Sequence, residues 1–277
     1  MKRNQIIVIS VCALLGIGIY FFANTTKPAK KEEATQPAMP GMTKPEALNI
    51  EEYVAETSAK IEDQATREKV EQLQKTSSYK ELADIFVKLD KPLAVAYYAV
   101  KQAEASNQPN DLAQAGDYNA MLLQTAPDAK AQQYLMDNMV YCYKKSYELD
   151  SNNTDNKIRY ASSIIQQGGA PMQGVSMLLD IVRKDSTNID AQMMLGRFAI
   201  VSGQFEKALA RFDKILYLSP QNQEALLLAA QAYEGKGDTP KAIEMLERCK
   251  KTVKDPNAQL EIDNYIKQLS GPATNKN

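Results

Sequence analysis

Apolar residues fall into three regimes along the chain. From Ile6 to Ala23 they are continuous, IIVISVCALLGIGIYFFA, with no charge and one clearly polar residue, Ser10. Such a run spans about 27 Å as a helix, enough for a bilayer hydrocarbon core. From Asn24 to Pro45 the sequence turns polar, NTTKPAKKEEATQPAMPGMTKP, and carries four prolines. That stretch has too little apolar surface to offset the entropy of ordering, so residues 24–45 are expected to be a flexible linker. Beyond Pro45, apolar positions recur at spacings of three and four, the period of a helix. No long run of alternating β-branched residues is present. The pattern predicts an all-α body.

Within 46–154 the helical pattern is irregular. Glu46 to Lys75 carries Ile50, Val54, Ile61 and Leu73 among many charges, and reads as one long helix. Tyr79 to Ser106 reads as a hairpin with a tight turn at Asp90–Lys91–Pro92. A helix over about Asp111–Gln124 would pair with one over Tyr134–Asn152. From residue 155 to 254 a fixed period emerges. Shifting by 34 residues places Gly196 on Ser162 and Ala230, Gly203 on Gly169 and Gly237, and Ala208 on Gly174 and Ala242. Small residues fall on small ones, and Phe212 falls on Leu178 and Leu246. The spacing predicts three helical hairpins. Their small residues let helices approach closely, and their glycines end the first helices. Pro220 stops a second helix. Such units bury their apolar faces only by stacking, and residues 255–269 form an amphipathic capping helix. The tail, 270–277, is expected to be disordered.

These residues resemble the tetratricopeptide repeat (TPR) family. The best unit carries Leu195–Gly196, Gly203, Phe205, Ala208, Phe212 and Pro220 at the family's spacing. It departs at Gln192, where an aromatic is usual, and the unit from Asp155 has Pro171 where another is usual. The resemblance implies an α-solenoid of antiparallel hairpins whose first helices line a concave face. Helical spacing then selects the positions pointing away from the small packing residues. They are Arg159, Ser163 and Gln166 in one unit, Met193, Arg197 and Ile200 in the next, and Leu227, Gln231 and Glu234 in the third. Such a set suits an extended peptide or a partner helix, with the two guanidiniums available for carboxylate or carbonyl oxygens. The lysine and asparagine pattern of chaperone-tail-binding members is absent.

Composition narrows the chemistry. The 277 residues contain no histidine, which excludes Ser–His and Cys–His catalysis and imidazole metal ligation. A net charge of −1 argues against nucleic acid as a partner. Three cysteines make no disulfide scaffold; Cys142 and Cys249 read as small buried apolar residues, and Cys12 lies in the apolar run. Phosphate-binding glycine loops are missing, and the eleven methionines form no dense cluster. No enzyme activity, metal or cofactor is expected.

The N-terminal run has three competing readings: a cleaved signal peptide, a lipoprotein signal and an uncleaved anchor. Phe21, two residues before Ala23, disfavours cleavage, and the residues before Cys12 are a poor lipoprotein signal. A single transmembrane signal-anchor at 6–23, after a short tail at 1–5, fits best. Lys2 and Arg3 favour a cytoplasmic N-terminus, and a body facing the periplasm of a bacterial inner membrane. The chain therefore reads as a membrane-tethered scaffold or adaptor in envelope protein assembly or biogenesis. The alternative is a structural protein that self-associates through the Glu46–Lys75 helix or the span, with the repeats as a spacer.

Overall fold

A computed structural model describes residues 48–271. The expected span at 6–23, the linker at 24–45 and the last six residues of the tail lie outside the described residues. Among those described, there are thirteen α-helices, one 3-10 turn and no strand. None of these helices is long and apolar enough to cross a membrane. They group into two compact units, residues 48–181 and 182–271.

The N-terminal unit contains α1 (Ile50–Ala59), α2 (Gln64–Lys75), α3 (Tyr79–Lys88), α4 (Pro92–Ser106) and α5 (Pro109–Leu122). A 3-10 turn (Leu123–Thr125) leads to α6 (Ala129–Leu149) and α7 (Thr154–Gln167). The unit boundary falls inside α8 (Pro171–Lys184). The C-terminal unit continues with α9 (Ile189–Val201), α10 (Phe205–Leu218), α11 (Gln223–Gly235), α12 (Thr239–Thr252) and α13 (Pro256–Ser270).

The long helix expected over Glu46–Lys75 is instead two helices. The carboxylate of Asp63 accepts from the backbone N–H and hydroxyl of Thr66 and so starts α2 afresh. Val54, Ile61, Val70 and Leu73 are all buried with Leu82 and Phe86 in the unit's own core. They leave no apolar seam for a coiled coil, so self-association loses its proposed helix.

Asparagine marks the start of each repeat. Asn153, Asn188 and Asn222 precede α7, α9 and α11, and each side-chain oxygen accepts a backbone N–H from the first turn. Each cap contributes about 1 kcal/mol relative to alanine.

The ends of the first helices differ in one detail from expectation. Gly203 and Gly237 lie in the left-handed region, φ 70° and 78°. After α9, Gly203 N–H donates to Ile200 C=O at 2.9 Å and Gln204 N–H to Ala199 C=O at 2.7 Å. That pair of bonds is a Schellman turn, which glycine adopts without a Cβ penalty. After α7 the left-handed residue is Gly168, φ 81°, rather than Gly169. Helix α7 still ends in register, at Gln167 where α9 ends at Val201 and α11 at Gly235, but its left-handed turn comes one residue sooner.

Close approach inside two of the hairpins rests on a glycine facing a ring. A Cβ at Gly196 would lie 2.5 Å from the Phe212 ring, which is fully buried. A Cβ at Gly116, on α5, would lie 2.5 Å from the ring of Tyr143 on α6. Ala208, Ala230 and Ala242 are fully buried, as their small-residue role requires. Cys142 and Cys249 are free, buried thiols, pushed up to about 12 and about 11 by desolvation. Helix α13 runs over Pro256–Ser270 and seats Ile262 in the core that covers α12.

Candidate functional site

The expected partner-facing residues divide between the units. Three lie on α7 of the N-terminal unit: Arg159, Ser163 and Gln166. Gln166 is exposed. Ser163 is not, and its hydroxyl donates to the carbonyl of Tyr160 at 2.8 Å. The other six lie on α9 and α11 of the C-terminal unit. Met193 and Leu227 are core residues, 5% and 6% exposed. Ser163, Met193 and Leu227 are thus corrected from surface to interior. A first helix is covered by its own hairpin partner and also by the next first helix, as where α9 packs on α11. That leaves an open stripe narrower than helical spacing alone suggests. Ile200 packs against the core with one edge out, and Gln231 and Glu234 are half-buried.

The charged candidates already hold partners within the chain. Arg159 donates through Nε and Nη2 to the two oxygens of Asp117 on α5, at 3.2 and 3.4 Å. Tyr143 donates to the same carboxylate at 2.8 Å. Arg197 donates through Nε at 3.1 Å and Nη2 at 2.5 Å to Glu224 on α11. Glu234 accepts from the hydroxyl of Tyr265 on α13. Each contact clasps one first helix, or the capping helix, to another. The two ion pairs are about one-third to one-half exposed, so each contributes at most about 1 kcal/mol. Burial raises the phenol pKa of both tyrosines; Asp117 raises that of Tyr143 further against Arg159, and Glu234 does so for Tyr265.

The departure at Gln192 has a structural role that spacing did not reveal. The side chain is 4% exposed. Its amide donates to Ser186 C=O at 3.0 Å and accepts from Arg211 Nη1 at 3.0 Å. An amide therefore ties the start of α9 to the preceding turn and to α10, and its polar atoms are satisfied.

Among the described residues, no group of three or more histidine, cysteine, aspartate or glutamate side chains could hold a metal. The two buried thiols are neutral at pH 7. What the C-terminal face offers is a guanidinium, an amide and a carboxylate beside the outward edge of Ile200. Such a surface can bind without reacting.

Comparison with known proteins agrees with this architecture. Residues 199–260 match the tetratricopeptide repeat model, covering α10–α12 and the start of α13. Over 180 residues, 65% of this chain, the sequence is 26% identical to cellulose synthase operon protein C of Pseudomonas fluorescens. That stretch spans only 12% of the relative's length. A thermophilic TPR protein from Thermus thermophilus superposes with a TM-score of 0.50 at 14% identity, covering 70% of this chain and 97% of the other. A tetratricopeptide repeat protein from Parabacteroides merdae gives the same TM-score and identity, covering 70% of this chain and 74% of its own. Residues 199–260 thus carry the tetratricopeptide repeat signature, and the chain shares the fold of these two repeat proteins over 70% of its length.

Proposed function

We propose that this chain is a non-enzymatic adaptor that binds an extended peptide or a partner helix on the α9–α11 face of its C-terminal unit. The observation that carries the reading is that face itself. Arg197, Ile200, Gln231 and Glu234 are all partly exposed on two helices in direct contact. An apolar edge flanked by hydrogen-bonding groups suits an amphipathic partner. In this reading residues 6–23 tether the body to a bacterial inner membrane, Lys2 and Arg3 stay in the cytoplasm, and the linker at 24–45 holds the repeats in the periplasm. The role that follows is in envelope protein assembly.

Ile200→Glu places a charge on the apolar edge. In crosslinked pulldowns from membranes, the variant is expected to recover at least tenfold less of the partner taken by the parent chain, with its helical circular dichroism unchanged. Equal recovery would remove the face from the proposal. Location is tested separately by protease treatment of intact spheroplasts. Digestion of the body is expected, and protection would overturn the periplasmic orientation.

A further inference from the structure

The N-terminal unit contains a concave feature of its own, outside the helices that sequence spacing had selected. Helices α1 to α4 line an open cleft of about 530 Å³, within the size range of small-ligand sites. Its floor is apolar and aromatic. Val54 and Leu82 are buried, and Tyr98 is 3% exposed with its ring stacked on Phe86. Tyr79 and Tyr97 flank Tyr98, one stacked at 6.4 Å between centroids and the other edge-on at 5.0 Å. Three phenol rings therefore meet in one wall.

The charges around these rings are unbalanced. Glu51 of α1 and Glu71 of α2 line the opening, both exposed and neither paired with a cation among the described residues. Glu51 lies near enough to Tyr97 to add to the burial that raises its phenol pKa. Arg67 is the cation in the lining, and its guanidinium is directed to backbone, at 3.1 Å to Ile61 C=O and 3.4 Å to Glu62 C=O. The Tyr98 oxygen accepts from the Gln74 amide at 2.9 Å, and its own O–H has no acceptor among the described residues. Outside the lining, Lys101 already rests 5.6 Å from the centroid of Tyr97, so this ring takes a cation on one face.

We propose that this cleft binds a basic side chain, arginine or lysine, of a partner peptide. The cation would lie against Tyr97 and Tyr79 with Glu51 and Glu71 as counter-ions, and Tyr98 would donate to an adjacent peptide carbonyl. Arginine fits better than lysine, because its planar head stacks on a ring while donating to a carboxylate. The site is independent of the α9–α11 face.

The test uses the full chain in detergent and a fluorescein-labelled peptide of alternating arginine and alanine, followed by fluorescence polarisation. Glu51→Gln with Glu71→Gln keeps both shapes and removes both charges, and is expected to weaken binding at least tenfold. Tyr97→Leu is expected to weaken it two- to fivefold. Glu52→Gln with Glu56→Gln alters the same helix outside the cleft and is expected to leave binding unchanged, as is Ile200→Glu. The proposal is overturned if the first pair binds like the parent, if the Glu52 and Glu56 pair weakens binding equally, or if a peptide of alternating glutamate and alanine binds as well.

Discussion

The two units solve the same turn with different residues. After α9 and α11 the chain turns on Gly203 and Gly237. After α2 and α3 it makes the same two-bond turn on Ser77 and Asp90, both at φ 53°. There Ser78 N–H donates to Leu73 C=O and Lys91 N–H to Phe86 C=O, each at 3.0 Å. A left-handed non-glycine residue costs about 1–2 kcal/mol, least for aspartate or asparagine. The N-terminal unit therefore carries strain that the C-terminal unit avoids, while keeping the hairpin. Glycine is the favoured residue for this turn but not a required one, provided the helices around it are well packed. The glycine-to-ring contact follows a similar rule. Gly116 with Tyr143 repeats Gly196 with Phe212, although the sequence spacings differ.

The largest expected effect probes the shared contact. Phe212→Ala removes a fully buried ring and is expected to lower stability by about 3–5 kcal/mol in urea unfolding. Gly116→Ala and Gly196→Ala each place a Cβ into a ring and are expected to cost about 1–3 kcal/mol apiece. Similar costs would show that the contacts are equivalent, whereas a negligible cost at Gly116 would separate the units. Next come the turns. Gly203→Ala is expected to destabilise by about 1–2 kcal/mol, and Ser77→Gly to stabilise by about 1 kcal/mol, with a smaller gain for Asp90→Gly. A loss at Ser77→Gly would break the comparison.

The smallest effect is that of pH, about 1 kcal/mol or less up to pH 9. Burial raises the thiols of Cys142 and Cys249 to about 12 and about 11 from an ordinary value near 9. The folded state holds these protons more tightly than the unfolded chain does, so stability is complete below pH 9 and falls as pH rises toward 12. Cys142→Ala is expected to flatten part of that fall in alkaline urea titrations. Because one thiol lies in each unit, alkylation under rising urea also reports which unit opens first.

Much of the C-terminal unit was legible because its turns and packing residues repeat at a constant 34. Gly196, Gly203, Ala208 and Phe212 carry that signal in a single hairpin. The N-terminal unit hid the same contacts. Helix α6 runs over Ala129–Leu149, longer than its counterparts, and moves Tyr143 out of register with Gly116. Serine and aspartate at the left-handed turns removed the glycine signal. The break between α1 and α2 was marked by Asp63, whose capping role is easily lost among neighbouring charges. At the candidate face, spacing identified the helices but not which side chains were already in use. Periodicity states where a residue points, and the position of the neighbouring helix decides whether that direction is open. The cleft was not legible, since Glu51, Glu71, Tyr79 and Tyr97 come from four helices with no common spacing.

The internal clasps give the two proposed sites different sensitivities to ionic strength. A partner carboxylate that takes the Nε–Nη2 edge of Arg197 must displace Glu224. Added salt weakens that clasp together with the incoming attraction, so the α9–α11 face is buffered against changes in the medium. The carboxylates of the α1–α4 cleft have no such internal competitor among the described residues, so its hold on a cation weakens steadily as salt screens them.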